Sequence, residues 1–240
     1  MYAHGDTISK SVVNDRIWEE KELTRILRIL IRNPRLSMID IGANIGGYTM
    51  FTAGALDRLT FAIDCYIGNI ERIARAVQIE HVQNRIILIH NALYSSSGVS
   101  MIVTNDDPSG IRFINETKNT TSNNPFVVHT IRFDEILPLL EARGVRRALI
   151  KIDIETSESY MCETGLKVFE RIDIPFVMME WHHWRVNHQK RYQFIVDFFT
   201  RLNYVPTDEE CKDLETDTWL TKWSGNVFWI KRIYRNDSFC

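Results

Sequence analysis

The segment Leu36-Ser37-Met38-Ile39-Asp40-Ile41-Gly42-Ala43-Asn44-Ile45-Gly46-Gly47-Tyr48-Thr49 decides the fold. Its first half is a short apolar, β-branched run of the kind that fills a buried strand. Its second half carries glycines where a turn needs φ > 0 or a close approach to the backbone. A helix is expected next, from Tyr48 to Arg58, and its start would aim unpaired N–H groups and partial positive charge into the turn. The spacing is Asp-x-Gly-x-x-x-Gly, so the Gly-x-Gly-x-x-Gly fingerprint of a dinucleotide pyrophosphate is not met. An acid at the strand tip is also wrong for a diphosphate. It suits a ligand with a cationic amine and sugar hydroxyls, a description that S-adenosylmethionine fits.

On the N-terminal side, Leu23, Ile26, Leu27, Leu30 and Ile31 give Val12 to Arg32 an apolar helical face that ends at Asn33-Pro34. Glu19, Glu20, Lys21 and Glu22 are expected to be solvated. On the C-terminal side, Leu59 to Asp64 reads as a second strand, Asn69 to Glu80 as a helix and Arg85 to Asn91 as a third strand. Repeated strand and helix in this order predict a doubly wound, mostly parallel sheet joined by right-handed crossovers. The pattern then changes. Val99 to Val103, Ile111 to Ile114 and Phe126 to Phe133 read as strands parted by Asn105-Asp106-Asp107-Pro108-Ser109-Gly110 and by the polar stretch Asn115 to Pro125. These turn signals predict a hairpin-like insertion over about 99–125 whose second loop is mobile.

The alternation resumes with a helix over Asp134 to Arg143, a strand over Ala148 to Ile154, a helix over Glu158 to Arg171 and a strand over Pro175 to Trp181. A helix from about His188 to Leu202 and strands at Tyr204-Val205 and Asn226 to Ile230 follow, the last patterned as an antiparallel edge. The expected organisation is an N-terminal helical segment over 1–35, one α/β domain over 36–232 and a tail over 233–240.

Composition narrows the class. The chain has 240 residues, 25% charged and 45% hydrophobic, with a formal net charge of -2. That is the balance of an ordinary globular protein and argues against nucleic acid as a bulk electrostatic partner. No run approaches the 18 or so apolar residues of a membrane span, and Met1 to Lys10 lacks a signal-peptide core. A cytoplasmic setting is the default expectation, with a secretory one open if the chain is part of a longer protein. Three Asn-x-Ser/Thr sequons, at Asn115, Asn119 and Asn236, are short enough to arise by chance. Cys65, Cys162, Cys211 and Cys240 are widely spaced, which predicts reduced thiols rather than a disulfide scaffold or zinc site. Oligomeric state is not legible.

In an open parallel sheet, ligands lie beyond the carboxyl ends of the strands, where strand order reverses. Asp40, Asp64, Asn91, Asp153 with Glu155, and Glu180 with His182 all fall at or just past predicted strand ends. Asp64, 24 residues after Asp40, is placed to accept hydrogen bonds from ribose hydroxyls. Asp153 and Glu155 alternate along a strand and would project to one side. Close carboxylates raise each other's pKa and make a general base, unless both simply pair with Lys151 or an arginine. His182 is a rival base. The His182-His183 pair matches no metal-ligand spacing, so no metal is expected.

The segments Asp40 to Thr49, Asn91-Ala92-Leu93, Thr130 to Asp134 and Leu149-Ile150-Lys151-Ile152-Asp153-Ile154-Glu155, in this order and spacing, resemble the FkbM family of S-adenosylmethionine-dependent methyltransferases over about residues 36–183. The resemblance implies a class I methyltransferase fold, a seven-stranded sheet with its last strand antiparallel, and methyl transfer to a hydroxyl of a small molecule or glycan. It implies a cofactor site of Asp40, Gly42, Ala43, Asn44, Gly46, Tyr48, Asp64 and Asn91, a base among Asp153, Glu155 and His182, and acceptor contacts from Glu158 and Glu180. Two departures stand out. The family's Glu-Pro after the second strand is Asp64-Cys65 here, and its Glu-Gly-x-Glu is Glu155-Thr156-Ser157-Glu158. The second admits an alternative, a degenerate member that binds cofactor or a partner without turnover. A nicotinamide oxidoreductase is disfavoured by the missing fingerprint.

Overall fold

A computed structural model describes residues 11, 13, 14, 17–103, 114–116, 126–181, 183–223, 225–235, 239 and 240. The first long helix, α1 (Glu20–Arg32), buries Leu23, Ile26, Ile29 and Leu30, while Ile31 is exposed. The apolar stripe therefore runs through Ile29 instead of Ile31. The expected helix from Val12 is interrupted ahead of α1, where Glu19 has φ 49°. Strand β1 (Ser37–Ile41) runs into the glycine turn and then a four-residue helix, α2 (Gly47–Met50), which widens into a π turn over Phe51–Ala55.

Strand β2 (Thr60–Asp64), helix α3 (Ile67–Ile79) and strand β3 (Ile86–His90) follow as the periodicity predicts. Four short strands, β4 (Ala92–Leu93), β5 (Ser100–Val103), β6 (Ile114–Glu116) and β7 (Val127–Ile131), form a small separate sheet in the order β4-β7-β5-β6. Strand β5 pairs antiparallel with both β6 and β7, so the hairpin is present and is enlarged by β7. Most of the loop from Asn115 to Pro125, expected to be mobile, lies outside the described residues.

Past a 3-10 turn at Phe133–Ile136 come α4 (Leu137–Ala142) and β8 (Arg147–Ile152). The helix expected over Glu158 to Arg171 is two, α5 (Glu158–Thr164) and α6 (Leu166–Arg171). The break falls at Gly165, where a Cβ would stand 2.5 Å from the Phe133 ring. Strand β9 (Asp173–Glu180), helix α7 (Gln189–Arg201) and strands β10 (Tyr204–Thr207) and β11 (Asn226–Lys231) complete the chain.

The main sheet has seven strands in the order β10-β11-β9-β8-β1-β2-β3. Strand β11 is antiparallel to both neighbours, as its alternation suggests, but it lies inside the sheet and β10 is the edge. Alternation along buried strands divides the core. Ile39, Ile41, Ile150 and Ile152 face the side of α4 to α7. Met38, Leu149, Phe176 and Phe228 face the side of α1. Strand order reverses between β1 and β8, because the chain leaves β1 toward β2 on one side and leaves β8 toward β9 on the other.

Cys211 and Cys240 are joined by a disulfide, which corrects the expectation of four reduced thiols. At a sequence separation of 29, spacing held no clue. The tail folds back so that Phe239 packs into the α1 side of the core. No helix among the described residues is long and apolar enough to cross a membrane.

Candidate active site

The glycine turn is built against the end of β8. Gly42 has φ +77°, and a Cβ there would stand 1.8 Å from the Asp153 carbonyl oxygen. Gly46 has φ +89°, and its Cβ would press on Ile73 of α3 at 2.9 Å. Both positions therefore need glycine for conformation and for space. Asn44, at φ 50°, supplies a third left-handed residue, which asparagine tolerates better than most side chains. The outer side of the turn is open, since a Cβ on Gly47 would meet nothing within 4 Å.

Asp40 does not face that opening. It is 0% exposed and pairs in register with Lys151 on the α1 side of the sheet. Its Oδ2 accepts the Thr49 hydroxyl at 2.6 Å, and its Oδ1 stands 3.9 Å from the Lys151 ammonium. Asp40, expected at the cofactor, thus lies beneath the turn, where its carboxylate is held by Thr49 and Lys151. Lys151 also donates to the Gly42 carbonyl at 3.0 Å and to Asp153 Oδ2 at 3.4 Å. Burial opposes its charge, but Asp153, Asp40 and Glu19 outweigh that and hold it protonated. One ammonium therefore ties the turn, the buried acid and the end of β8 together.

Tyr48 and Glu19 also depart from expectation. The Tyr48 hydroxyl donates to Glu19 Oε2 at 2.7 Å and the ring lies 5.4 Å from the Lys151 ammonium, so Tyr48 closes the α1 side instead of lining the opening. Glu19 is half-buried, not solvated, and burial raises its pKa. Ala43 is buried against α3.

Asp64 ends β2 beside the turn. Its Oδ2 accepts the Asn44 backbone N–H, and its Oδ1 accepts the Tyr66 N–H and the Asn69 amide. Burial pushes its pKa up to about 6 against the pull of these three donors. A carboxylate offers roughly four acceptor sites, so little capacity remains for two ribose hydroxyls. Asn91 donates its amide to the His129 carbonyl and fastens the start of β4 to the middle of β7.

The acids gather on the other flank of the turn. Strand β8 ends at Ile152, and Glu155 and Thr156 have φ 46° and 70°. The expected pleat alternation is therefore replaced by a left-handed turn, which still returns Glu155 to Asp153. Oxygens of Asp153, Glu155 and Glu180 all lie within 4.8 Å of one another. Burial first, then Asp153 and Glu155, raise the Glu180 pKa to about 9. Such a group of carboxylates needs a shared proton or a cation between its members.

Glu158, expected to touch the acceptor, is 2% exposed and accepts the Ile154 N–H at 3.3 Å. Burial, with Asp153 and Glu155 adding, pushes its pKa up to about 8. It braces the turn from inside, because α5 starts at this residue and carries it inward. His182 lies outside the described residues. Sequence reasoning missed Glu19 and Tyr192, a buried phenol packed edge-on against Trp181, the residue after Glu180. Tyr192 stands on the buried stripe of α7 with Ile195 and Phe199, where aromatic residues usually signal packing.

Comparison with known proteins agrees with this architecture. A family model described as the methyltransferase FkbM domain matches residues 40–206. No curated protein matches the chain. Among solved structures, a provisionally named caffeoyl-CoA O-methyltransferase from Staphylococcus aureus aligns with 93% of this chain and 89% of its own, at 13% identity and TM-score 0.52. A SAM-dependent O-methyltransferase from Thermotoga maritima aligns with 94% of this chain and 71% of its own, at 10% identity and TM-score 0.48. At such identities the first likeness speaks for the fold alone.

Proposed function

The chain belongs to the FkbM methyltransferase family, and from that premise we propose that it transfers the methyl group of S-adenosylmethionine to a hydroxyl of a small-molecule or glycan acceptor. The observation that carries this reading is the meeting of Gly42 and Asp153 at the point where strand order reverses, which joins a ligand turn to a group of acids. The residues present fit the cofactor. It is cationic at sulfur and at its amine, and Asp153, whose backbone packs on Gly42, belongs to a group of carboxylates with Glu155 and Glu180.

S-adenosylmethionine supplies an electrophilic methyl group on a sulfonium, and the sulfur leaves as a neutral thioether. The protein's work is then mostly alignment. Gly42, Asn44 and Gly46 shape the turn that holds the methionine part, with Ala43 setting it on α3. Asp40 positions that turn through Lys151 and Thr49. Asp64 fixes the Asn44 N–H and offers its remaining acceptor capacity to the ribose, and Asn91 borders the adenine side. Asp153 or Glu155 takes the acceptor hydroxyl proton as the oxygen attacks, and Glu180 orients the acceptor.

Incubation with methyl-labelled S-adenosylmethionine and a panel of polyols, sugars and phenols tests the reading. Label transferred to an oxygen supports it, and label on nitrogen or carbon overturns the hydroxyl assignment. A second reading, cofactor binding without turnover, is favoured by one observation. Thr156 is β-branched and sits at φ 70° beside the acids, where the family pattern has glycine. It predicts tight S-adenosylmethionine binding with no transfer to any acceptor.

A further inference from the structure

We propose that the Cys211–Cys240 disulfide is a thiol-exchange clasp, opened by a reduced thiol of the glutathione class, that sets how firmly the tail packs against α1 behind the glycine turn. Exposed disulfides are the labile ones, and exchange is faster when the leaving sulfur is stabilised as a thiolate. Both conditions are met here. Cys240 is exposed and borders a groove of about 280 Å³ that it shares with Arg25 and Arg28 of α1 and with Glu209, so a small thiolate has access to its sulfur.

Both sulfurs also lie against guanidinium groups. Arg235 donates to Cys211 Sγ at 3.2 Å and to Cys240 Sγ at 2.7 Å, and Arg25 donates to Cys211 Sγ at 3.5 Å. Arg235 shares its charge with Asp213, whereas the other hydrogen bonds of Arg25 go to the backbone carbonyls of Asp208, Glu209 and Phe239. Positive charge on two sides of Cys211 favours its thiolate. In the exchange, a small thiolate attacks Cys240 Sγ, the S–S bond breaks and Cys211 leaves as the thiolate. A second small thiolate then attacks the mixed disulfide, which releases Cys240 and the oxidised small disulfide. The protein gains two electrons, and the two small thiols lose them.

The clasp holds a defined piece of the core. Phe239, next to Cys240, is 1% exposed and packs in one cluster with Leu23 and Ile26 of α1 and with Tyr48. Its ring lies 5.6 Å from that of Tyr234. At the start of α1, Glu19 accepts the Tyr48 hydroxyl on the α1 side of the glycine turn. With the clasp open, only non-covalent contacts keep Phe239 in this cluster. The clasp stands on sulfur and guanidinium geometry and does not depend on the methyl-transfer reading.

The oxidised full chain, without denaturant or cofactor, is placed in glutathione buffers of increasing reduced-to-oxidised ratio, quenched with acid, alkylated and mapped by peptide mass. Cys211 and Cys240 should both become alkylated at or below about 10 mM reduced glutathione. Hydrogen exchange should then speed up in α1 and in residues 232–235, and the melting temperature should fall by about 4–15 °C. Folded Arg235→Gln should need at least about ten times more reductant, while Arg235→Lys, which keeps the charge, should open like wild type. A pair that stays closed in reduced glutathione until the chain is denatured is a structural brace and overturns the proposal. Opening without faster exchange in α1 overturns it too, as does an Arg235→Gln variant reduced as readily as wild type.

Discussion

The carbonyl oxygen of Asp153 occupies the place a side chain on Gly42 would need, 1.8 Å from the position of its Cβ. The obstacle is backbone at the end of β8, which cannot rotate away. The Gly42→Ala variant should therefore lose at least about 100-fold in S-adenosylmethionine affinity, near 2.7 kcal/mol. It should also unfold more easily, because φ +77° strains alanine. Calorimetry and denaturant unfolding read both effects, and wild-type affinity in this variant would refute the packing described.

Lys151 is the next test. With the side chains of Lys151 and Asp40 6% and 1% exposed, its removal strands a buried acid and the Gly42 carbonyl. Lys151→Met should cost about 3–5 kcal/mol of stability, measurable in urea. A loss below about 1 kcal/mol would mean that Asp40 is already neutral and that the pair is not what holds the turn.

Thr156 is held at φ 70°, a conformation that costs an L-residue roughly 1–2 kcal/mol. Thr156→Gly should relieve that strain, offset in part by the entropy glycine adds to the unfolded chain. A net gain of up to about 1 kcal/mol in thermal unfolding is expected. Clear destabilisation would show that the Thr156 side chain makes contacts worth more than the strain.

Glu158 makes stability depend on pH. Its carboxyl is raised from 4.5 to about 8, so between those values the folded protein holds a proton that the unfolded chain has released. Stability should therefore fall as pH rises through that window and level off above it. The total is on the order of 5 kcal/mol. Glu158→Gln keeps the shape without the charge and should remove the Glu158 share of the decline, while Glu180 and Asp64, raised to about 9 and about 6, keep a slope of the same sign. A variant whose melting temperature follows the wild-type pH curve would contradict the burial of Glu158.

Much of this was legible in the sequence, and the misses share a cause. Periodicity located the strands of the main sheet, since buried parallel strands read as short apolar runs, and the glycine spacing located the turn. Side-chain direction was not legible. Asp40 looked like a strand-tip ligand, yet its register opposite Lys151 turns it to the α1 side. Tyr48 looked like part of the turn, yet it bonds to Glu19, 29 residues earlier. Glu155 was placed beside Asp153 by pleat alternation, whereas a left-handed turn does the work. The Cys211–Cys240 disulfide depends on a tail that folds back onto the core. Each miss is a long-range contact or a backbone conformation that local pattern does not encode.

The central claim is that the turn from Gly42 to Gly46 holds S-adenosylmethionine. Thermal unfolding of the full chain with S-adenosylmethionine, with S-adenosylhomocysteine and with NADH tests it most directly, because a ligand that binds the folded state alone raises the melting temperature. The first two should raise it in wild type, with the effect lost in Gly42→Ala, and NADH should leave it unchanged. No shift with either sulfur compound, or an equal shift with NADH, would contradict the account.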